Sequence, residues 1–136
     1  MTLQVELVSP ERILYSGEAD MVIARTVGGG ELAFLTGHSP FVGALDIATV
    51  TIRTPAGTDD EVVAVHGGFV EVSGDTVTIL SDVAELASQI DVERARQAAD
   101  EADRQLQHDH DAEVEAAARR AHVRLAAVGG PGGAGH

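Results

Sequence analysis

The first 81 residues carry hydrophobic side chains at a period of two. Apolar and polar residues alternate most regularly at residues 3–8, 49–53, 69–73 and 76–80. Such alternation is typical of strands with one buried face, and glycine- or proline-containing segments separate the runs. Gly74-Asp75, between two of these runs, predicts a tight hairpin. This part of the chain is therefore predicted to be an all-β sandwich of about ten short antiparallel strands.

After Ser81 the apolar residues recur at steps of three and four, which is the period of an amphipathic helix. Residues 75–128 contain neither glycine nor proline. Asp91 is a predicted N-cap for a first helix, and Asp109 or Asp111 for a second. The polar run between the helices predicts the turn of an antiparallel α-helical hairpin. The two stripes are Val92, Ala95, Ala99, Ala102 and Leu106, then Val114, Ala118, Ala121, Leu125 and Val128.

The predicted organisation has three parts. Residues 1–84 form the sandwich, residues 85–128 the hairpin, and residues 129–136 a disordered Gly-rich tail. The seam of the hairpin is mostly alanine, and each alanine buries one methyl group worth roughly 0.8 kcal/mol. We therefore expect weakly held helices, and regulatory elements that move are drawn from such low-stability parts of a structure.

Composition excludes several functions. The chain has 136 residues with 22 acidic and 9 basic side chains, all nine of them arginine, and a net charge of -13. That balance argues against binding a nucleic acid and against direct insertion into an anionic bilayer. Lysine is absent, which excludes a Schiff-base lysine and a P-loop lysine, and cysteine is absent, which excludes thiolate metal sites.

The candidate chemistry within the chain is poor. Ser39, His38 and Asp46 are the residue types of a nucleophilic triad, but adjacent residues in a turn cannot reach one another productively. The run His108-Asp109-His110-Asp111 offers ligands for Zn or Ni, although consecutive ligands in an exposed turn bind weakly and a solvated helix cap is the preferred interpretation. The sequence therefore predicts no catalytic residue and no metal site, and favours a binding and regulatory module.

Four segments of the chain form a recognisable pattern: Leu3–Val8 with Ser16-Gly17-Glu18, Gly30–Pro40, His66–Val72 with Val77–Leu80, and Ile90–Ala95. In this order they resemble the epsilon subunit of the bacterial F-type ATP synthase. The second segment is similar to the family's GE(L/I)GILPGHAPL, with Ala33 and Thr36 as departures. The third is similar to its sGGFlEV with VtiLa, and the fourth to its IDxxRA signature.

The resemblance implies a non-catalytic subunit in the central stalk of a proton-translocating synthase. It implies a peripheral protein on the cytoplasmic face of the bacterial cell membrane. The sandwich would bind the gamma subunit and the ring of c subunits, and couple the rotation of gamma to that ring. The mobile hairpin would reach the alpha and beta subunits of the catalytic head and inhibit ATP hydrolysis. No cofactor is required, and ATP enters only as a regulatory ligand.

The resemblance also implies site residues. Glu31 and His38 match the segment that contacts the c ring, the alternative being a surface acid and a histidine that satisfies a tight turn. An ATP site would use Glu85, Asp91, Arg94, Arg120 and Arg124, the alternative being that Asp91 caps the first helix and pairs with Arg94. Glu101 stands where ATP-binding relatives have another arginine, which should weaken binding.

The end of the second helix is basic on an acidic molecule. Arg119, Arg120 and Arg124 are the expected inhibitory contact with the catalytic head. In the docked state we expect their partners to be acidic residues of the first helix, namely Asp100, Glu101 and Asp103.

Two alternatives of other classes stay open. The first is a stand-alone ligand-binding β-sandwich module whose helices merely dimerise. The second, more distant, is a metal-handling enzyme.

Overall fold

The computed structural model describes residues 2–55 and 60–129. Within them the chain forms eight strands, a short 3₁₀ turn and two α-helices. In chain order these are β1 (Leu3–Val8), β2 (Ile13–Ala19), β3 (Met21–Thr26), β4 (Gly30–Leu35), β5 (Phe41–Arg53), β6 (Glu61–Ser73), β7 (Thr76–Leu80), β8 (Ala84–Leu86), the 3₁₀ turn (Ala87–Gln89), α1 (Val92–Leu106) and α2 (Ala112–Val128).

All eight strands belong to one hydrogen-bonded sheet that folds over on itself. Its order is β2-β1-β7-β6-β5-β3-β4, with β8 paired to β6. The two longest strands, β5 and β6, run through both layers. In the first layer, residues 41–45 of β5 pair with residues 68–72 of β6, next to β7, β1 and β2. In the second layer, residues 47–52 of β5 pair with residues 61–66 of β6, together with β3, β4 and β8.

The prediction of an all-β sandwich followed by a helical hairpin is confirmed. The described residues contain eight strands rather than about ten, because β5 and β6 each continue for 13 residues through the bend. One pairing departs from the expected antiparallel pattern, since β1 runs parallel to β7. Alternation of side chains identifies a strand and its buried face, but it does not reveal the direction of the neighbouring strand.

The core of the sandwich is filled by the alternating residues from which the strands were predicted. Leu3, Val5 and Leu7 of β1 are essentially without solvent exposure, and Phe34 of β4 and Ile52 of β5 meet them from the second layer. Complete burial of each such side chain stabilises the fold by about 1.5–3 kcal/mol.

The bend of the sheet depends on two glycines. The pairing of β5 with β6 is interrupted at Asp46 and Gly67, and it resumes in the same register on the other side. Gly67 and Gly68 have positive φ angles of 87° and 129°. A Cβ atom on Gly68 would lie 2.1 Å from the carbonyl oxygen of Leu80, where β7 crosses the corner. The hydroxyl of Ser81 donates a hydrogen bond of 2.7 Å to the carbonyl oxygen of Gly67, which joins the end of β7 to β6 at the bend.

The hairpin packs against the outer face of the second layer through α2. Val62 and Ala64 of β6 point away from the sandwich core and are buried in a second cluster with Val123 and Ala127 of α2. The cluster also contains Ile90 and Ala95, and Ile47, Ala87, Leu125 and Val128 pack against it. Leu125 and Val128 of the sequence stripe reach this cluster, whereas Val123 and Ala127 are buried in it although the stripe omits them.

The caps and the buried residues of the two helices agree with most of the sequence predictions. Asp91 is the N-cap of α1, as predicted, and Asp111 rather than Asp109 caps α2. Ala95, Ala99 and Ala102 are buried as the stripe predicted, but Val92 is 40% exposed. The predicted boundary between residues 84 and 85 falls inside β8 and stays a prediction. Residues 130–136 of the predicted tail lie outside the described residues.

The corner generates the first testable prediction. Gly68→Ala should lower the free energy of unfolding by about 3 kcal/mol or more, because the added methyl group collides with backbone and the φ angle is unfavourable for alanine. Gly74→Ala is the matched control: its φ is 59° and nothing lies within 4 Å of the added Cβ, so the cost should be about 1 kcal/mol. Urea denaturation of the full chain measures both, and equal losses would contradict the role of the corner.

Candidate functional site at the junction of hairpin and sandwich

The candidate site lies where the chain leaves the sandwich and enters the hairpin. Strand β8 places Glu85 on the outer face of the second layer, opposite Ala64 of β6. The 3₁₀ turn then redirects the chain, and Asp91 begins α1 by accepting a hydrogen bond from the backbone N–H of Arg94 at 3.1 Å. The local sequence thus fixes two carboxylates and one arginine within ten residues.

Four of the five residues predicted for ATP binding line one cavity of about 450 Å³ at this junction: Glu85, Asp91 and Arg94 from the connecting segment, and Arg124 from α2. The fifth, Arg120, lies instead in a neighbouring groove of about 290 Å³ between the helices, together with Glu101. Arg124 lines both spaces, so it separates them.

Glu85 is the centre of a charged cluster that joins three elements. Its Oε1 atom accepts a hydrogen bond from Nε of Arg124 at 2.6 Å and lies 3.1 Å from Nε2 of His66 on β6. Partial burial acts to raise the pKa of Glu85, but the hydrogen bonds from Arg124 and His66 outweigh it and hold the pKa below its ordinary value. We call Glu85, Arg124 and His66 the latch.

Sequence reasoning did not identify His66 as a functional residue. In the sequence His66 stands out only as the first residue of the segment His66–Val72. The signal was its position: on β6 it alternates with inward Val63 and Val65, so it had to lie on the outer face with Val62 and Ala64. The missing information was that α2 covers this face.

The cationic groups of the cavity and of the adjoining groove are already mostly neutralised. Arg124 is bound to Glu85, and Arg120 is bound to Glu113 at 2.8 Å. Among the described residues Arg94 has no ion-pair partner, and the carboxylate of Asp91 stands close to it at the helix N-terminus. An anion that enters the cavity therefore meets one free guanidinium and must draw Arg124 away from Glu85.

The expectation that the basic end of α2 pairs with acids of α1 is wrong. Arg119 binds Asp46 of β5, Arg120 binds Glu113 and Arg124 binds Glu85. The rotation of α2 is set by the burial of Val123 and Ala127 on the sheet, which directs Arg119 and Arg124 to the sandwich rather than to α1.

Two of the α1 acids that were expected to bind these arginines have other partners in the described residues. Asp103 pairs instead with His122 at 2.9 Å, and Glu101 pairs with Arg104 within α1. The carboxylate of Asp91 accepts the backbone N–H of Arg94 rather than pairing with its guanidinium.

A second cavity, of about 550 Å³, lies on the other side of α2. Its charged lining consists of Arg25, Glu31, Asp46, Arg119 and His122. Glu31 therefore faces α2 near the β3–β4 turn. We assign no ligand to this space.

Glu31 and His38 lie at opposite ends of β4, and the structure does not bring them together. Glu31 is the second residue of the strand and His38 follows its end by three residues. The ring of His38 packs edge-on against Phe34 at 5.0 Å, and its Nδ1 lies 2.6 Å from the carbonyl oxygen of Ser39. Both residues accompany β4, which is an edge strand of the sheet.

The other candidate chemistry does not assemble. His38 contacts the carbonyl oxygen rather than the hydroxyl of Ser39, and Asp46 is engaged by Arg119. Within residues 2–55 and 60–129, no three His, Cys, Asp or Glu side chains are grouped as ligands of a metal ion would be. Neither described helix is long and apolar enough to span a bilayer.

Comparison with known proteins places these features in a family. Residues 2–87 match the family model described as "ATP synthase, Delta/Epsilon chain, beta-sandwich domain". The chain is 47% identical over 126 residues to the ATP synthase epsilon chain of Streptomyces griseus, covering 93% of this chain and 94% of the relative. It is 49% identical over 128 residues to that of Thermobifida fusca, covering 93% and 91%.

A solved structure shares the fold. A chain in the mitochondrial ATP synthase of Euglena gracilis, a structure of its OSCP, F1 and c-ring, superposes with a TM-score of 0.69. The two chains are 22% identical, and the match covers 91% of this chain and 75% of that one.

The latch generates the second prediction. In a double-mutant cycle of Glu85→Gln and Arg124→Gln, we expect a coupling energy of about 1–2 kcal/mol, because both side chains are about two-thirds buried and the hydrogen bond is charge-assisted. Arg124→Gln should also raise the pKa of Glu85. The pair therefore adds to the free energy of unfolding at pH values above the ordinary carboxyl pKa. This stabilisation is lost as pH falls through the lowered pKa of Glu85 in the folded state.

Urea denaturation at neutral pH measures the cycle, and Glu93 with Arg96 is the matched exposed pair on α1. That pair should show little coupling. Equal coupling in both cycles would contradict a special role for the latch.

Proposed function

Because the chain belongs to the ATP synthase delta/epsilon family, we propose that it is the epsilon subunit of a bacterial F-type ATP synthase. In this role it is a non-catalytic part of the central stalk, peripheral to the cytoplasmic face of the cell membrane. One observation carries the proposal: the similarity to bacterial epsilon chains covers 93% of this chain and includes both the sandwich and the hairpin. An isolated chain that hydrolyses ATP with defined turnover would contradict it.

The outer face of the first layer supports binding to the gamma subunit. The cross-strand partners Ile13, Val8, Leu80, Phe69 and Ala44 form one row across five strands. Ile13, Leu80 and Phe69 in this row are 60%, 49% and 56% exposed. We call these five residues the apolar row. A contiguous exposed row of this kind is typical of a protein interface, with Phe69 as its aromatic anchor.

The edge strand β4 supports contact with the ring of c subunits. Glu31 and His38 mark its two ends, and an edge strand presents unpaired backbone groups along its length. In this proposal the ring lies along β4, so that gamma and the ring occupy different faces of the sandwich. Together these two contacts couple the rotation of gamma to the ring.

The ion pairs of α2 support a regulatory hairpin with two states. In the docked state, Arg119 and Arg124 are held by sandwich carboxylates, and Arg120 is held within its own helix. Release from the sandwich frees two guanidinium groups and exposes the apolar side of α2. We propose that the released helix reaches the alpha and beta subunits, where Arg119, Arg120 and Arg124 restrain ATP hydrolysis.

ATP itself is proposed as a regulatory ligand of low affinity in the cavity at the junction. Glu85, Asp91, Arg94 and Arg124 line that cavity, with Arg120 in the adjoining groove. A triphosphate would bind Arg94 and compete with Glu85 for Arg124. Glu101, which faces the groove beside Arg120, opposes the phosphate charge, so binding should be weak.

The alternative of a stand-alone module with dimerising helices has little structural support. The apolar residues that would form a helical dimer interface are buried within this chain, between α1 and α2 and between α2 and the sandwich. Val92 is the only large hydrophobic residue of the described helices that is strongly exposed.

The third prediction tests the apolar row. Phe69→Ser should weaken binding of the full chain to purified gamma at least tenfold, since it removes the aromatic side chain of the row. Val92→Ser is the control, because Val92 is 40% exposed but lies on α1, away from the row. Isothermal titration calorimetry measures both affinities. An unchanged affinity for the Phe69 variant would place the gamma contact on another face.

The fourth prediction concerns hydrolysis by the reassembled catalytic head. Replacing Arg119, Arg120 and Arg124 with glutamine should raise the ATP hydrolysis rate several-fold, because the released helix then lacks its positive charge. The double variant Asp46→Asn with Glu85→Gln should lower the rate, since it frees the same arginines from their docked partners.

Steady-state hydrolysis assays with a range of ATP and salt concentrations distinguish the two effects. Opposite signs in the two variants identify the arginines as the inhibitory groups. A wild-type rate in the triple variant would show that the basic end is only a solvated helix face.

A further inference from the structure

His66 has an incomplete set of contacts for a buried imidazole. Its side chain is only 3% exposed, and Nε2 lies 3.1 Å from Oε1 of Glu85. The other ring nitrogen, Nδ1, is buried without a hydrogen-bond partner. Because Glu85 is held ionised by Arg124, the neutral ring that donates from Nε2 is the form that fits this position.

Protonation of the ring is unfavourable while α2 is docked. A second N–H would appear at Nδ1, where no acceptor lies within reach. Leaving a buried donor unsatisfied costs more than the average hydrogen bond contributes. Accordingly burial lowers the pKa of His66, the hydrogen bond that the ring donates to Glu85 partly opposes this effect, and the charge of Arg124 adds to it.

The charged groups around the ring come from each element packed on it. From β8 it meets Glu85, which favours the protonated ring. From α2 it meets Arg124 and, farther away, Arg120, which both oppose protonation. On β5 the cross-strand partner is Ile47, and the carboxylate beside it, Asp46, is engaged by Arg119. The cations on this side of the ring belong to α2, so they leave when α2 leaves.

We propose that His66 is a pH-sensitive positioning residue: the neutral ring orients Glu85 toward Arg124 and keeps α2 on the sandwich, and acidification releases the hairpin. Release gives the ring access to water and removes Arg124 and Arg120, so the released state binds the proton more tightly than the docked state. By linkage, a proton that prefers the released state shifts the population toward it.

The sign and the range follow from the direction of the shift. The docked state is fully favoured above the ordinary histidine pKa near 6.5, and its advantage declines as pH falls toward the lowered value of the docked form. The ratio of released to docked molecules can rise by up to about tenfold for each pH unit in this window. Protonation of Glu85 adds to release only at lower pH, because its pKa is also lowered.

The switch concerns this chain alone, whereas its consequence for the enzyme rests on the function proposed above. If the released hairpin restrains hydrolysis, then acidification of its compartment slows ATP consumption. The experiment below uses the isolated full chain, so failure of the switch and failure of the proposed subunit role are distinguishable.

Spin labels measure docking directly. The chain has no cysteine, so Ser73→Cys on β6 and Glu115→Cys on α2 give two unique labels at exposed positions. We expect a single short distance distribution at pH 7.5, and a second, longer population that increases severalfold relative to the first between pH 7 and pH 5. A distribution that is unchanged over this range would overturn the proposal.

Two variants separate titration from packing. His66→Gln keeps an amide donor toward Glu85 but does not titrate, so it should stay docked between pH 7 and pH 5. His122→Gln is the control, because His122 also binds a carboxylate, Asp103, but its side chain is 53% exposed; it should behave as the wild type. A pH response in His66→Gln equal to that of the wild type would refute the assignment.

A measurement on the native side chain does not depend on the folding of any His66 variant. NMR titration of the wild type should give His66 a pKa below the ordinary value for histidine. Arg124→Gln should raise the pKa of His66, since it removes a nearby cation and loosens α2. An unchanged pKa in that variant would show that the ring does not sense the docking of the helix.

Discussion

The apolar outer face of the second layer is the constraint on which the hairpin depends. Val62 and Ala64 point away from the sandwich core, so the sheet is hydrophobic on both sides at this position. A sheet with two apolar faces must cover both, and α2 covers the outer one with Val123 and Ala127. That contact fixes the rotation of α2, and the rotation decides which arginines meet the sandwich. The placement of α1, which packs on the remaining side of α2, follows from it.

Small side chains make this docking reversible in principle. Most of the residues buried between the helices are alanines, and the sheet contributes one alanine and one valine to the second cluster. Each methyl group contributes little, so specificity comes from the charged pairs at the border of the contact. Arg119 with Asp46 and Arg124 with Glu85 bind α2 from its two sides, and neither pair lies in the sandwich core. Docking and core stability are thus largely separate.

Glu85 is the point at which three changes would act, because one of its oxygen atoms accepts hydrogen bonds from two donors. Arg124 binds it from the hairpin and His66 binds it from the sheet. An anion in the adjacent cavity, a proton on the imidazole or the movement of α2 would each change the same hydrogen bonds. In a partly buried cluster, such competition is worth more than between exposed charges, because solvent screens it less.

The sequence by itself determined the elements: alternation at 3–8 and 76–80 identified strands, the stripes after residue 90 identified two helices, and Asp91 identified the start of α1. It also placed Glu85, Asp91 and Arg94 in one short segment.

Only the tertiary structure decided that β1 runs parallel to β7, that Glu31 and His38 lie apart, and that Arg119 and Arg124 bind Asp46 and Glu85 rather than acids of α1. The reason is physical: periodicity reports which side of one element is buried, whereas the partners of a charged side chain depend on how two elements are rotated against each other. His66 was missed for the same reason, since its partner Glu85 comes from β8 and is itself bound by Arg124 of α2.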